Sequence, residues 1–412
     1  MPTIKTLARV SLVPALVALL TGCVSHRLYN DEPHEYIQTL AADDEATDGV
    51  EFDLAIIEFD DHGTFWKREQ LEDTIALIER RSAESERGIL VIPFVHGWKN
   101  NADPAQTDGN LPKFRDELSR VATVQAAAGE DKPEHVVGVY FGWRGATSRL
   151  WLQEQLTFWD RRRTAERLAS LNMREAMFRI MRATDENERS KCFIAGHSMG
   201  GLIVGKTLAP SLTTMLLADG DDGVRMPADL VVLLNPALEA LASWQFIDFL
   251  KRSGARAELR LPDGTRVPAP GPFMVSITSE ADAATGRSYP LGRTLSTLTD
   301  EFRTDFRTDD DPPRPSQRYL ATHAEGHVDY LVSHRAWVDE DGEVVLERVP
   351  GAWNDTPFWV VRVTRDISAD HNDTKNPRMG ALVDRISQLN RVYEAGVQTW
   401  MLTGDEPGPD EP

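Results

Sequence analysis

One serine in this 412-residue chain, Ser198, stands in a pentapeptide that is suited to nucleophilic chemistry. The pentapeptide is Gly196-His197-Ser198-Met199-Gly200, and it follows an apolar run over residues 191–195. Leucines then recur at helical spacing over residues 202–217. A strand, a G-x-S-x-G motif and a helix in this order form a sharp turn that exposes a serine hydroxyl. Ser198 is therefore the predicted nucleophile.

A serine hydroxyl can attack a carbonyl only when a base removes its proton and an acid orients that base. The predicted strand 273–278 runs into a loop that contains Asp282, and the predicted strand 358–363 runs into a loop that contains His371. The chain order nucleophile, acid, histidine is expected when acid and base follow later strands of one sheet. We predict that His371 accepts the Ser198 proton and that Asp282 holds the other ring nitrogen.

Both partner roles have rivals in the sequence. Glu280 precedes Asp282 by two residues, and the shorter side chain farther past the strand end favours Asp282. His323 and His327 are alternative bases, although neither directly follows a predicted strand. Their four-residue spacing could place two imidazoles on one helix face, but no glutamate directly follows His323 and Gly326 weakens the helix. We therefore predict no metal and no cofactor, and expect these histidines to lie where they could contact substrate.

The oxyanion that forms during acyl transfer needs hydrogen-bond donors. One is expected from the backbone N–H after the nucleophile, which belongs to Met199, and the other from a loop after an earlier strand. The apolar strand 88–95 leads into such a loop, where Gly97 lets the backbone turn its amides inward. The N–H of Trp98 is the predicted second donor.

Alternation of apolar strands and helical stretches predicts the fold class. Because the strands are nearly continuous apolar runs, they indicate an α/β fold, a mostly parallel sheet with helices on both faces. The predicted strands are 52–59, 88–95, 136–141, 191–195, 229–234, 273–278 and 358–363. A long helical region is predicted over 149–184, and a last helix over 378–393.

The N-terminus has the pattern of an export signal. Basic residues precede an apolar core over residues 7–20, and the motif Leu20-Thr21-Gly22-Cys23 follows. This motif resembles the lipobox of bacterial lipoproteins, which implies cleavage after residue 22 and lipidation of Cys23. The resemblance further implies outer-membrane sorting facing the periplasm, because Val24 is not the aspartate associated with inner-membrane retention. The alternative is a cleaved secretory signal with an incidental cysteine.

The remaining chain divides into a tether, one domain and a tail. Residues 23–50 are polar and acidic and are interpreted as a tether, and residues 403–412 as a disordered tail. The domain is predicted over 51–402, with a helical insertion at about 144–189 and a mixed insertion at about 293–357, before the last strand. Either insertion could cover a site, or pack on a sheet edge.

The net charge of −20, from 65 acidic and 45 basic residues, excludes nucleic acid and disfavours anionic membrane surfaces as partners of the domain. Only two cysteines are present, Cys23 and Cys192. With Cys23 acylated no intrachain disulfide can form, and Cys192 lies inside a predicted strand, where a thiol more often packs as a small apolar group.

Together these motifs resemble the lipase and esterase branch of the α/β-hydrolase superfamily. The resemblance is carried by the 96–98 loop, the 196–200 turn, Asp282 and His371, and covers about residues 50–400. Further similarity to a group of hydrolase-like proteins without established substrates lies in segments 94–102, 140–145, 157–161 and 278–286.

The resemblance implies a serine hydrolase that cleaves a carboxylic ester, or a related acyl bond such as a thioester or amide, through an acyl-enzyme. Its substrate would be a small-molecule or lipid acyl compound. The alternative is a non-catalytic envelope lipoprotein that uses the same fold for binding or scaffolding.

Overall fold

The fold was analysed in a computed structural model. It describes residues 27–42, 49–127, 135–146, 151–218, 228–253, 258–260, 266–268, 271–303, 314–374 and 376–389.

A ten-stranded sheet forms the centre of the domain, in the order β1-β2-β4-β3-β5-β6-β9-β12-β10-β11. Strands β2 to β10 in this order are all parallel to their neighbours, and only the edge strands β1 and β11 are antiparallel. The strands are β1 Ile37–Ala41, β2 Glu51–Glu58, β3 Ile89–Val95, β4 His135–Gly142, β5 Lys191–His197, β6 Leu230–Leu234, β9 Met274–Ser279, β10 His334–Val338, β11 Val344–Arg348 and β12 Phe358–Val363, with a separate hairpin of β7 Glu258–Arg260 and β8 Arg266–Pro268. The predicted α/β fold is confirmed.

Helices cover the sheet on both faces. They are α1 Pro33–Tyr36, α2 Glu69–Glu84, α3 Asn110–Ala127, α4 Trp151–Leu168, α5 Leu171–Asp185, α6 Met199–Ala218, α7 Ala240–Ser253, α8 Tyr289–Ser296, α9 Gln317–Thr322 and α10 over residues 377–389. A π-helix spans Ala284–Ser288 and a 3₁₀-helix spans Glu325–His327.

Strand β2 shows why these sequences need cover on both sides. Ala55 and Ile57 point into the large core beneath α2 and α5, whereas Leu54 and Ile56 point into a second core with α3. Successive side chains of a strand alternate between the faces of the sheet, so a continuous apolar run is stable only when both faces are buried.

The predicted tether is wrong for residues 27–42, which belong to the folded domain. Strand β1 pairs with β2, Tyr36 is fully buried, and the backbone N–H of Asn30 donates to Glu58 at 2.8 Å. An edge strand is stabilised largely by backbone hydrogen bonds. The buried Tyr36 side chain and the hydrogen bond between Asn30 and Glu58 therefore hold this polar segment on the domain.

The predicted helical insertion at 144–189 is largely part of the core layer. The chain forms two helices, α4 and α5, instead of one, and α5 buries Met173, Met177 and Ile180 against the sheet. Because β4 and β5 are parallel strands on either side of β3, their connection must cross one face of the sheet. Helix α5 provides that crossover.

The predicted mixed insertion at 293–357 extends the sheet. Strand β10 pairs in parallel with β12 and antiparallel with β11, and Val338 faces Val344 across the predicted turn at 340–342. The predicted hairpin is confirmed, and its place at the sheet edge agrees with the second interpretation of this segment.

Candidate active site

Ser198 occupies the turn between β5 and α6, and its backbone has a φ of 57°. The backbone of a non-glycine residue is strained in this left-handed region, so neighbouring contacts must hold Ser198 there. The Ser198 N–H donates to Leu234 O at 2.9 Å, and its carbonyl accepts from Ala237 N at 3.0 Å. The contacts come from the last residue of β6 and from the loop that follows it, so the adjacent strand and its loop hold the turn that presents the hydroxyl.

The glycines of the pentapeptide allow three backbones to approach one another. A Cβ on Gly196 would lie 2.7 Å from Gly200 O, and a Cβ on Gly200 would lie 1.9 Å from Val95 O. Both contacts are far shorter than a real Cβ tolerates. The small residues of the motif are therefore required by the packing of α6 against β3 and β5.

The three residues expected to form the site are joined by hydrogen bonds. His371 Nε2 lies 2.8 Å from Ser198 Oγ, and His371 Nδ1 lies 2.8 Å from Asp282 Oδ2. Because an ionised carboxylate can only accept, Nδ1 carries the proton and Nε2 is left to accept from the serine hydroxyl. This tautomer is the one that a general base at Ser198 requires.

Asp282 is buried and is ionised in spite of that burial. Its Oδ1 accepts from Ala284 N at 2.9 Å and from Thr285 N at 3.1 Å, and its Oδ2 also accepts from the Thr285 hydroxyl. Burial raises the pKa of the carboxyl, but the hydrogen bonds from His371 and Thr285 outweigh it, so the pKa falls below its usual range. The carboxylate is thus a stable acceptor for His371.

Two further residues hold the His371 loop, and no motif in the sequence indicates this role. His197 Nε2 donates to His371 O at 2.8 Å, and Asn235 Nδ2 donates to the same oxygen at 3.1 Å. Burial, with the nearby His371, lowers the pKa of His197 to about 3, so its imidazole is a neutral donor. Asn235 also accepts from Ser279 N at 2.9 Å, and so ties the ends of β6 and β9 to the histidine loop.

The loop after β3 lies directly against the nucleophile. A Cβ on Gly97 would lie 3.0 Å from both Ser198 Cβ and His197 O. On either side of Trp98, the N–H groups of Gly97 and Lys99 donate to Asn110 and Gly145. Met199 is the first residue of α6, where a backbone N–H has no intrahelical acceptor. The predicted oxyanion donors, Trp98 N–H and Met199 N–H, thus belong to segments that flank Ser198.

His96 anchors this loop to the neighbouring strand end. The N–H of Trp143 donates to His96 Nε2 at 3.0 Å, and the Trp143 indole donates to His96 O at 3.0 Å. The two rings stack with centroids 5.3 Å apart. Burial lowers the pKa of His96 to about 4, so the ring is neutral and serves as a packing element.

The rival residues do not take the role of base or acid in the hydrogen-bonded group, although His327 Nε2 lies 3.0 Å from the Thr285 hydroxyl that donates to Asp282. Glu280 is exposed, and its N–H pairs with Val363. His323 follows α9, where its Nδ1 bonds to Tyr319 O at 2.9 Å, whereas His327 ends the 3₁₀-helix. The two imidazoles therefore do not share a helix face. Within the described residues, no group of three His, Cys, Asp or Glu side chains is placed to hold a metal.

The two cysteines lie in very different parts of the chain, one in the core and one near the N-terminus. Cys192 is buried in β5, and burial raises the pKa of its thiol well above the usual value, as expected for a small core residue. Cys23, the signal peptide and the tail at 403–412 lie outside the described residues. Within the described part, one helix, α6, is long and apolar enough to cross a membrane, but half of it is buried against the sheet.

This chain has a weak structural similarity to solved structures of one protein. No protein-family model and no curated protein sequence match the chain. Phospholipase PlaB from Legionella pneumophila is 14% identical over 77% of this chain and 63% of its own, with a TM-score of 0.30. Its complex with thio-NAD is 14% identical over 74% and 63%, with a TM-score of 0.28. The chain thus spans less than two thirds of these structures, and the likeness concerns the fold alone.

Proposed function

We propose that this protein is a serine hydrolase that cleaves a carboxylic ester, or a related acyl bond, through an acyl-enzyme. The observation that carries the proposal is the continuous hydrogen-bonded chain from Ser198 through His371 to Asp282, at 2.8 Å for each link. A binding or scaffolding protein needs none of these three side chains in this relation. The strained backbone of Ser198 also presents the hydroxyl at a turn, where a substrate carbonyl can approach it.

The reaction follows from the protonation states. His371 Nε2 takes the proton of Ser198 Oγ as the oxygen attacks the acyl carbon, and Asp282 stabilises the imidazolium that forms. The oxyanion is bound by the N–H groups of Met199 and Trp98. His371 then protonates the leaving alcohol, and a water molecule activated by the same imidazole releases the acid and regenerates Ser198.

Exposed leucines on the helix that follows the Asp282 loop favour a lipid ester over a small polar ester. Leu291, Leu295 and Leu298 are 69%, 63% and 62% exposed, and recur at helical spacing on α8 and the turn after it. Helix α8 directly follows the loop of Asp282. Neighbouring apolar side chains on a surface mark places that contact apolar partners. Acyl chains are such a partner for an ester hydrolase.

The test is hydrolysis of nitrophenyl esters of increasing acyl length by the purified protein, with fluorophosphonate labelling in parallel. Ser198→Ala should abolish labelling and lower turnover by about 10³-fold or more, because the hydroxyl is the nucleophile. Ser211→Ala, on the helix α6 that follows the nucleophile, is the matched control and should leave both unchanged. Absence of labelling in the wild type would favour the scaffold function.

A further inference from the structure

The catalytic carboxylate has a second side-chain partner on the oxygen that faces His371. Asp282 Oδ2 accepts from His371 Nδ1 and also from the hydroxyl of Thr285, which is 2% exposed. The Thr285 oxygen lies 3.0 Å from Nε2 of His327. The histidine that the sequence offered as a rival base therefore contacts the acid through an intermediate threonine.

The direction of each hydrogen bond in this chain is fixed by its members. A threonine hydroxyl carries one proton, and the Asp282 carboxylate can only accept, so the Thr285 proton points to Asp282. Thr285 Oγ1 must then accept from His327, which places a proton on His327 Nε2. Burial lowers the pKa of His327 to about 4 against the raising effect of Asp282, with Arg362, His323 and His371 adding to the decrease. His327 is thus a neutral donor near pH 7.

We propose that Thr285 and His327 are positioning residues, which hold the Asp282 carboxylate toward His371 through one continuous chain of hydrogen bonds. The chain runs His327 Nε2–H to Thr285 Oγ–H to Asp282 Oδ2, and it meets the His371 Nδ1–H bond at the same oxygen. Neither residue touches the reacting atoms. The proposal rests on the proposed hydrolase function, because it assigns a role in that reaction.

The backbone around Gly286 fits this arrangement. A Cβ on Gly286 would lie 2.9 Å from His327 Cε1 and 3.2 Å from Nδ1, so the absence of a side chain there allows the ring to reach Thr285. The N–H of Gly286 donates to Asp282 O at 3.0 Å, within the same loop. The loop that carries Asp282 is thus packed around His327, which follows Thr285 by 42 positions in the chain.

Kinetics of the full chain test the role of the hydroxyl. Thr285→Val keeps the shape of the side chain and removes the hydroxyl, and should lower kcat by about 10- to 100-fold with little change in KM, since a hydrogen bond to a charged group is lost. The acid limb of the kcat/KM–pH profile should move toward lower pH, because a less firmly held carboxylate stabilises the His371 imidazolium less. Thr285→Ser should restore both quantities.

Two variants address His327 without touching Thr285. His327→Phe keeps a ring but removes the N–H, and Gly286→Ala pushes the ring away, so each should move the pH profile in the same direction as Thr285→Val. A purely structural role would lower the melting temperature and leave kcat and the profile of the folded protein unchanged. That result in all three variants would overturn the proposal.

A measurement that does not require turnover tests the positioning role of Thr285 and His327 separately from the hydrolase function. The His371 Nδ1–H proton, hydrogen-bonded to a carboxylate, should give a downfield proton NMR resonance, and Thr285→Val should shift it while Ser198→Ala retains it. If the wild type has no Ser198-dependent turnover, the proposed hydrolase function is wrong. The resonance still tests whether the hydrogen bonds from His327 through Thr285 to Asp282 position the carboxylate toward His371. A resonance that is the same in wild type and Thr285→Val would refute the positioning role.

Discussion

At the residue scale, the site depends on which of the two carboxylates in the loop after β9 points into the protein. Glu280 follows the strand directly and is exposed, whereas Asp282 turns inward, where the N–H groups of Ala284 and Thr285 meet it. A buried carboxylate is stable only where several donors compensate the loss of water. The same donors orient the oxygen toward His371, so stability and function depend on one set of hydrogen bonds.

His371→Ala should be far more damaging than His323→Ala. The first removes the imidazole that is hydrogen-bonded to the Ser198 hydroxyl, whereas His323 stacks on Tyr319 with ring centroids 3.9 Å apart. We expect a loss of turnover of about 10³-fold or more for His371→Ala, and near-wild-type turnover for His323→Ala. Esterase assays with both variants would check this, and an inactive His323 variant beside an active His371 variant would contradict the assignment.

The order of motifs along the sequence was sufficient to predict that Ser198, Asp282 and His371 would meet. Loops that follow neighbouring parallel strands lie at one edge of the sheet, so residues that directly follow such strands are expected to lie close together. The roles of His197 and Asn235 could not be predicted in this way. They bind a backbone carbonyl at residue 371, which is 174 and 136 positions away, and a carbonyl has no signature in the sequence.

At the element scale, the site is held by the packing of α6 against two strands. Gly200 and Gly205 lie on this helix, but they meet different neighbours. A Cβ at Gly200 would collide with the backbone of Val95, whereas the nearest atom to a Cβ at Gly205 is Leu238 Cδ2 at 3.1 Å. A side-chain methyl can shift by a few tenths of an ångström, but a central strand cannot.

We therefore expect Gly200→Ala to destabilise the protein by more than about 3 kcal/mol, because β3 and α6 must separate. Gly205→Ala should be nearly neutral, since the contact with Leu238 is offset by a gain of up to about 1 kcal/mol in helix propensity. Thermal unfolding of both variants provides the measurement. Equal melting temperatures would show that the approach of α6 to β3 is looser than the contact distances indicate.

The strands of the sheet could be predicted wherever they are continuous apolar runs, as in β3 and β6. The edge strand β1 could not be predicted, because its composition is that of a polar tether. An edge strand with one neighbour buries little surface, so its residues need not be apolar, and its pairing with β2 depends on backbone groups that every sequence possesses. The sequence likewise does not distinguish the crossover helix α5 from an insertion, because periodicity identifies a helix but not its neighbours.

At the scale of the whole molecule, cations from the helices α4, α6 and α8 surround the buried carboxylate of Glu239. Glu239 is paired with Arg162, Lys206 and Arg293, and these cations lower its pKa against the effect of burial. Glu325 lies nearby and accepts from Ser243. Burial raises the pKa of Glu325 to about 7, and the negative charge of Glu239 adds to the increase. Folding therefore favours the protonated form of Glu325.

This raised pKa makes stability depend on pH. The unfolded carboxyl titrates near 4.5, so the folded state is not penalised below that value, and the penalty grows as the pH rises to about 7. Glu325→Gln, which is neutral throughout, should raise the melting temperature at pH 8 by the equivalent of about 3 kcal/mol and have little effect at pH 4. Melting curves of wild type and variant between pH 4 and 8 provide the check. A difference that is constant with pH would mean that Glu325 does not titrate in this range.

The folded segment that contains β1 also bears on how the molecule would sit at a membrane. If Cys23 carries the lipid, it lies only seven positions before the buried Asn30, which gives a reach of at most about 25 Å. The proposed envelope anchor would therefore hold the domain close to the lipid surface. The net charge of −20 over the whole chain opposes binding to anionic headgroups, so the acidic domain should add nothing to the attachment.

We propose that Cys23 is acylated, and Cys23→Ser should abolish metabolic lipid labelling and release exported protein in soluble form. A single acyl chain binds a membrane reversibly, whereas the several chains of a lipoprotein anchor hold it stably, so loss of this one residue should remove the attachment completely. Cys192→Ser is the matched control, because that thiol is buried in β5 and cannot be modified in the folded domain. Its labelling should equal that of the wild type. Labelling that persists in Cys23→Ser would exclude the lipobox, whereas a soluble wild-type protein without label would indicate an ordinary secretory signal.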